Sequence, residues 1–252
     1  MKRLLFGIAA IAALVGTPAL AADMPLKAPP PPPPPAWTWT GFYLGLNAGW
    51  GWDAKVDNLL ITTDPALGGY PATAAGTNPT GPFAGVNVGY NWQVANFLVF
   101  GFEGDFEAAN IQNSFHNLVI NGFGDQLSAE QALNAFSTIR GRLGLAYNNF
   151  LVYGTGGLAY GDVHNRLVDV LTVPPTGTVD MSKDGWQSGY AVGGGVEYMF
   201  APHASLKVEY QYIKLGSFTG SALESPPSGF TFSTNSINNN FQTVRAGLNV
   251  HL

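Results

Sequence analysis

From Gly41 onward the chain alternates. Phe42, Leu44, Leu46, Ala48, Trp50 and Trp52 share one parity and Tyr43, Gly45, Asn47, Gly49 and Gly51 the other, the period of two expected of a strand whose faces meet different surroundings. The pattern returns at Ala84, Val86, Val88, Tyr90, Trp92, and again at Leu98, Phe100, Phe102, Phe106 opposite Gly101, Glu103, Asp105, Glu107. A fourth strand is predicted from about Phe136 to Tyr147, and a fifth from Phe150 to about Gly161 whose inward face the pattern leaves undecided. A sixth runs over Trp186–Phe200, a seventh through Leu206, Val208, Tyr210 and Tyr212, and an eighth ends the chain with Val244, Ala246, Leu248, Val250 and Leu252 in phase.

The connections alternate in length. Residues 53–82, 108–134, 162–185 and 213–240 read as long loops, and 93–97, 148–149 and 201–204 as tight turns. Antiparallel strands joined in sequence put every second connection at the same end. One end therefore carries three short turns and the other four long loops, the polarity of a membrane barrel. Within the second loop, Gly124–Asn134 (GDQLSAEQALN) reads as a short helix capped by Ser128.

The charges decide which face points inward. Glu103, Asp105, Glu107, Arg140, Arg142, Glu197, Lys207, Glu209 and Arg245 all fall on the small or polar parity of their strands. A charge at the lipid midplane costs about 2–4 kcal/mol, whereas five acids and four bases inside a narrow tube can pair. The oily face must then look outward. The expected fold is all-β: an eight-stranded antiparallel up-and-down transmembrane barrel, closed because an open sheet edge in hydrocarbon would leave backbone groups unpaired. The aromatic residues sort to the strand ends. Phe42, Tyr90, Trp92, Tyr147, Phe150, Tyr198 and Phe200 lie near the short turns and Trp50, Trp52, Phe106, Tyr160 and Trp186 near the loops, as two interfacial girdles would.

Composition agrees with this picture: charged residues are 11%, aromatics 13%, and glycine occurs 32 times in 252 residues, far from the roughly one-quarter charged content of soluble domains. Beyond the N-terminus no apolar run approaches the ~18 residues of a spanning helix. Lys2 and Arg3, the apolar stretch Leu4–Val15 and the small-x-small Ala19-Leu20-Ala21 read as a cleavable export signal over residues 1–21. Residues 22–40 are expected to form a periplasmic leader whose run of seven consecutive prolines, Pro29–Pro35, makes an extended spacer of roughly 20 Å. Residues 41–252 form the barrel. Without Lys2 and Arg3 the chain carries nine basic and sixteen acidic residues, which argues against nucleic acid as a partner.

Candidate chemistry is sparse. There is no cysteine, and His116, His164, His203 and His251 show no ligand spacing, so neither a metal nor a cofactor is expected. His203-Ala204-Ser205 offers a histidine and a hydroxyl, but in a periplasmic turn. Glu103, Asp105 and Glu107 look like paired carboxylates, but opposite Arg140 and Arg142 they read as part of a structural ion network. No catalytic residue is assigned.

Several segments together resemble a known family. The proline-rich leader followed by WTWTGFYLGLNAGWGW, then YGTGGLAYG, GGGVEYMF, LKVEYQYIKLG and the terminal VRAGLNVHL are similar to the small opacity-type outer-membrane proteins of alphaproteobacteria, themselves distantly similar to the OmpA and OmpX barrels. The resemblance implies a bacterial outer-membrane location, with the in-phase Val244, Ala246, Leu248, Val250 and Leu252 read by the barrel-assembly machinery. The family usually finishes in phenylalanine, where this chain has Leu252. What the pattern and the resemblance together suggest is a non-enzymatic envelope barrel in contact with outer-membrane lipid. Its loops, with Leu59, Leu60, Ile61, Phe230 and Phe232 among polar residues, would face an extracellular ligand. The alternative is a narrow porin-like channel, which eight strands and an ionic lumen make difficult.

Overall fold

A computed structural model describes residues 37–54, 59–63, 72–74, 77–95, 97–119, 124–172, 177–223, 231–234 and 236–252. The export signal, the proline run and Phe230 lie outside the described residues. Eight long strands form the wall: β1 (Gly41–Asp53), β4 (Thr80–Val94), β5 (Leu98–Val119), β6 (Gln126–Tyr147), β7 (Phe150–Leu171), β8 (Gly177–Ala201), β9 (Ala204–Phe218) and β12 (Ile237–His251). Four short strands, β2 (Leu59–Thr63), β3 (Ala72–Ala74), β10 (Ser221–Leu223) and β11 (Thr231–Thr234), make a separate sheet in the order β10-β11-β2-β3.

The wall is a closed antiparallel ring in which every strand pairs with its sequence neighbour and β1 returns to β12. Closure leaves no unpaired edge through the ring, the condition that hydrocarbon imposes on a sheet. At the seam Tyr43 pairs with His251 and Trp52 with Gln242, and the amide of Leu252 donates to the Phe42 carbonyl at 2.8 Å. Gly41 enters β1 at φ +144°, a conformation open to glycine, with the Leu252 carbonyl oxygen 2.9 Å from where a Cβ would stand. Asn148 takes φ +53° in the turn between β6 and β7, as asparagine does readily.

The wall is uneven in height. β7 and β6 have 22 residues each and β8 has 25, while β4, β9 and β12 have 15. A tilted strand crosses a bilayer with about 9–11 residues, so β5 to β8 continue roughly ten residues beyond it. This corrects the sequence reading. Residues 126–134 and 162–171 are paired strand (Gln126 with Val170, Leu127 with Asp169), not loop, and Gln126–Asn134 is not helical. Ser128 caps no helix; its hydroxyl oxygen accepts from the amide of Asn117 at 3.0 Å. Leu127, Ala129 and Leu133 face inward at period two, and ladders on both sides outweigh the helix propensity of SAEQALN. Leu59–Ile61 and Phe232, read as loop residues, lie in β2 and β11, which pair the first long connection with the last.

Candidate functional site: a layered, sealed lumen

The nine charged residues assigned to the inward parity all face the interior and are essentially buried. They form one network. Arg140 lies 2.7 Å from Glu103, 2.8 Å from Asp105 and 2.7 Å from Glu209. Arg245 bridges Glu107 at 3.0 Å, Asp105 at 3.1 Å and Glu209 at 2.6 Å. Lys207 reaches Glu103 at 2.9 Å, and Arg142 pairs with Glu197. Two tyrosines that the sequence reading did not single out complete it: the Tyr43 hydroxyl donates to Glu103 at 2.8 Å and that of Tyr153 to Glu209 at 2.9 Å. The Arg142 guanidinium stacks 3.6 Å above the Tyr153 ring, a cation–π contact out of water. Charges stripped of solvent need such partners, because one left alone in the interior costs several kcal/mol.

Glycine makes room for these side chains. An added Cβ on Gly89 would stand 2.3 Å from the Tyr43 ring, and one on Gly85 2.2 Å from the Glu107 carboxylate.

The lumen is not ionic throughout, and here the sequence reading is corrected again. Inward positions along β6 run Ala146, then Arg142, Arg140 and Thr138, then Phe136 and Leu133, then Gln131, then Ala129 and Leu127. The other tall strands follow the same order of layers. At the short-turn end Trp39, Val99, Ala146, Leu151, Tyr153 and Met199 form an apolar layer. Above the ion network a second apolar layer contains Phe83, Ile111, Phe136, Val163, Ile213 and Phe241, all 4% exposed or less. An amide layer follows, in which Gln131 donates to Asn239 at 2.9 Å and Asn239 donates to Gln187 at 3.2 Å. A third cluster of Leu127, Ala129, Leu167, Val179 and Met181 lies within the extended wall.

Trp39, which the sequence reading placed in the leader, is fully buried in the short-turn layer. Its backbone amide donates to Gln93 at 3.0 Å, its indole NH donates to the Asn148 carbonyl at 3.4 Å, and its ring meets His251 edge-on at 5.8 Å. His203 and Ser205, already set aside as a catalytic pair in the sequence, are not hydrogen-bonded to each other. Ser205 is buried, its hydroxyl donates to Glu197 and its oxygen lies 2.9 Å from Nε2 of a different histidine, His251. Among the described residues no group of three or more His, Asp and Glu is placed to hold a metal ion.

The outer wall is apolar. Leu46, Phe102, Ile139, Val192 and Leu248 are 44–65% exposed, the reverse of a soluble barrel. Phe42, Trp92, Tyr147, Phe150, Tyr198 and Phe200 stand outward near the short turns, with Phe42 against Tyr90 and Phe150 against Tyr198. Trp50, Phe106, Tyr160 and Trp186 stand outward at the other tier, where Trp52 is half-buried. Val244, Leu248, Val250 and Leu252 point outward from or just beyond β12, as does Ala246.

The model of the outer membrane protein beta-barrel domain matches residues 7–250. The chain belongs to this family. The 31 kDa outer-membrane immunogenic protein of Brucella melitensis is 34% identical over 96% of this chain and 97% of its own length. A 22 kDa outer membrane protein of Rhizobium leguminosarum is 35% identical over about half of each. Among solved structures, OprG of Pseudomonas aeruginosa matches 86% of this chain and 99% of its own at 14% identity, with a TM-score of 0.44. The ring is therefore an outer-membrane barrel with an oily outer wall.

Proposed function

We propose that this is a non-conducting, non-enzymatic envelope barrel whose contacts with its surroundings are made by the extracellular rim. The observation that carries the reading is the stacking of the lumen, an ion network filled side chain to side chain between two buried apolar layers. An ion entering would lose its hydration shell at Phe83, Phe136 and Phe241 without gaining a polar ligand, a large cost in a dry medium. The same sealing argues against lumen chemistry, since Ser205 has no route to substrate. Outside the membrane, the raised wall and the sheet joining the first and last connections offer a large ordered surface. The Brucella relatives, named as immunogenic, are consistent with a rim that antibodies reach.

The narrow-channel alternative has one observation in its favour. Within and just above the ion network, polar atoms of Asn47, Gln211 and Thr243 are buried without a protein partner, as water-bound groups are. Purified protein in planar bilayers separates the two readings: the proposal expects no stable openings, and sustained ohmic conductance overturns it.

A further inference from the structure

The raised wall carries a groove on its outward face that neither the barrel's membrane role nor the sealed lumen requires. It has a volume of about 530 Å³ and is lined by Glu130, His164, Arg166, Asp180, Ser182 and Asp184, with the amides of Gln112 and Asn134 at its side. The residues come from neighbouring strands in two adjoining rows: Glu130, Arg166 and Ser182 in one, Ala132, His164 and Asp184 in the next. Ala132 keeps the floor low.

The polar groups are held in place. Arg166 bonds Asp180 at 2.8 and 3.3 Å, and His164 lies 3.1 Å from Asp184 and 3.6 Å from Asp162. They remain reachable, with the side chains of Arg166, Asp180 and Asp184 49–58% exposed. Two residues below Asp184 on the same face is Trp186, 58% exposed, and Tyr160, 42% exposed, lies diagonally from it, two register positions beyond Trp186's partner Asp162.

We propose that this groove holds the saccharide headgroup of an outer-leaflet glycolipid. Rows of carboxylates and amides with one guanidinium and one hydroxyl can both accept from and donate to neighbouring sugar hydroxyls, and exposed rings below them supply a flat apolar face for the C–H side of a pyranose. Three carboxylates against one arginine disfavour phosphate as the group recognised. Location selects the source. The groove opens sideways rather than over the mouth, directly above the outward Trp186–Tyr160 tier, so the sugars nearest it are those attached to the surrounding lipid. The inference rests on the outer-membrane placement and is independent of whether the lumen conducts.

The test uses the full chain folded in detergent and calorimetric titration with three probes: rough-type lipopolysaccharide, its sugar-free lipid A, and the water-soluble core oligosaccharide released from it. Rough lipopolysaccharide is expected to bind about tenfold more tightly than lipid A, and the free oligosaccharide more weakly than the intact glycolipid. In the Glu130→Gln/Asp184→Asn double variant the difference between glycolipid and lipid A should vanish. Retained heat-modifiable gel mobility verifies that the variant folds; if it does not, Trp186→Ala is read in its place, with the same loss expected. Equal binding of lipopolysaccharide and lipid A, or an unchanged preference in the variants, overturns the proposal. So does a preference that EDTA abolishes, which marks cation bridging, and so does free oligosaccharide binding as tightly as the glycolipid, which removes the lipid as the source.

Discussion

Arg140 on β6 and Glu209 on β9 meet across the barrel interior, Nη1 donating to Oε1 at 2.7 Å, although three strand intervals separate them around the wall. Arg245 approaches the same Glu209 oxygen from the opposite side at 2.6 Å. The network thus ties the halves of the ring together through its middle, at a level where the outer face is apolar.

Arg140→Met should be strongly destabilising. It deprives Glu103, Asp105 and Glu209 of a shared buried partner, and breaking a buried pair from one side costs about 3–5 kcal/mol. The urea midpoint of the folded, heat-modifiable form should fall accordingly, and adding Glu209→Gln should recover part of the loss. A loss in the double variant equal to the two single losses combined would show that the pair is not coupled.

The two apolar layers act in series. Trp39→Ala empties much of the lower one, and truncating a buried aromatic costs about 3–5 kcal/mol, but Phe83, Phe136 and Phe241 remain above. Planar bilayers containing this variant should stay electrically silent, and stable openings from Trp39→Ala alone would show that the upper layer does not seal.

Glycines of the two faces should respond differently. A Cβ on Gly85 would stand 2.0 Å from the Phe106 carbonyl oxygen and 2.2 Å from the Glu107 carboxylate, whereas one on outward-facing Gly104 would meet nothing nearer than 3.9 Å. Gly85→Ala should reduce the yield of folded barrel several-fold and Gly104→Ala should leave it unchanged, as boiled and unboiled gel samples will report.

Above the membrane, Asp169 is buried on the inward side of β7 with one carboxylate oxygen lacking a protein partner. Burial, reinforced by the charge of Asp125, pushes its carboxyl up to about 6. The folded form therefore holds a proton that the unfolded chain releases near pH 4, so stability falls as pH rises from about 4 to 6 and is level above. Hydrogen exchange of the β6–β7 extension should quicken across that window, and Asp169→Asn should abolish the dependence; an unchanged pH profile in Asp169→Asn would assign it to another group.

The membrane-crossing part of the ring was legible because lipid makes parity unmistakable: Phe100, Phe102 and Phe106 against Glu103, Asp105 and Glu107 admit one orientation. In the extension of β6 the polarity of the two faces reverses, with Ser128, Glu130 and Asn134 polar on the outward parity and Leu127, Ala129 and Leu133 apolar on the inward one, so the oily-outward phase is lost although the ladder continues. This is why the extensions read as loops and SAEQALN as a helix. The upper apolar layer did leave a signal. Ile213 and Leu215 continue the parity of Lys207, Glu209 and Gln211, and an inward phase maintained past the last charge would have revealed it. Trp39 left none, because one ring after a proline-rich stretch has no period to betray where it packs.

The seat of that ring has a consequence for biogenesis. Its neighbours are His251 and, through the adjacent seam, the Leu252-to-Phe42 bond, which exist only once the first strand has joined the last. The ring gains its edge-on His251 contact only in a finished cylinder, whereas its bonds to Gln93 and Asn148 do not depend on the seam, so an incompletely closed intermediate would leave the indole more open to quenchers than the closed ring does.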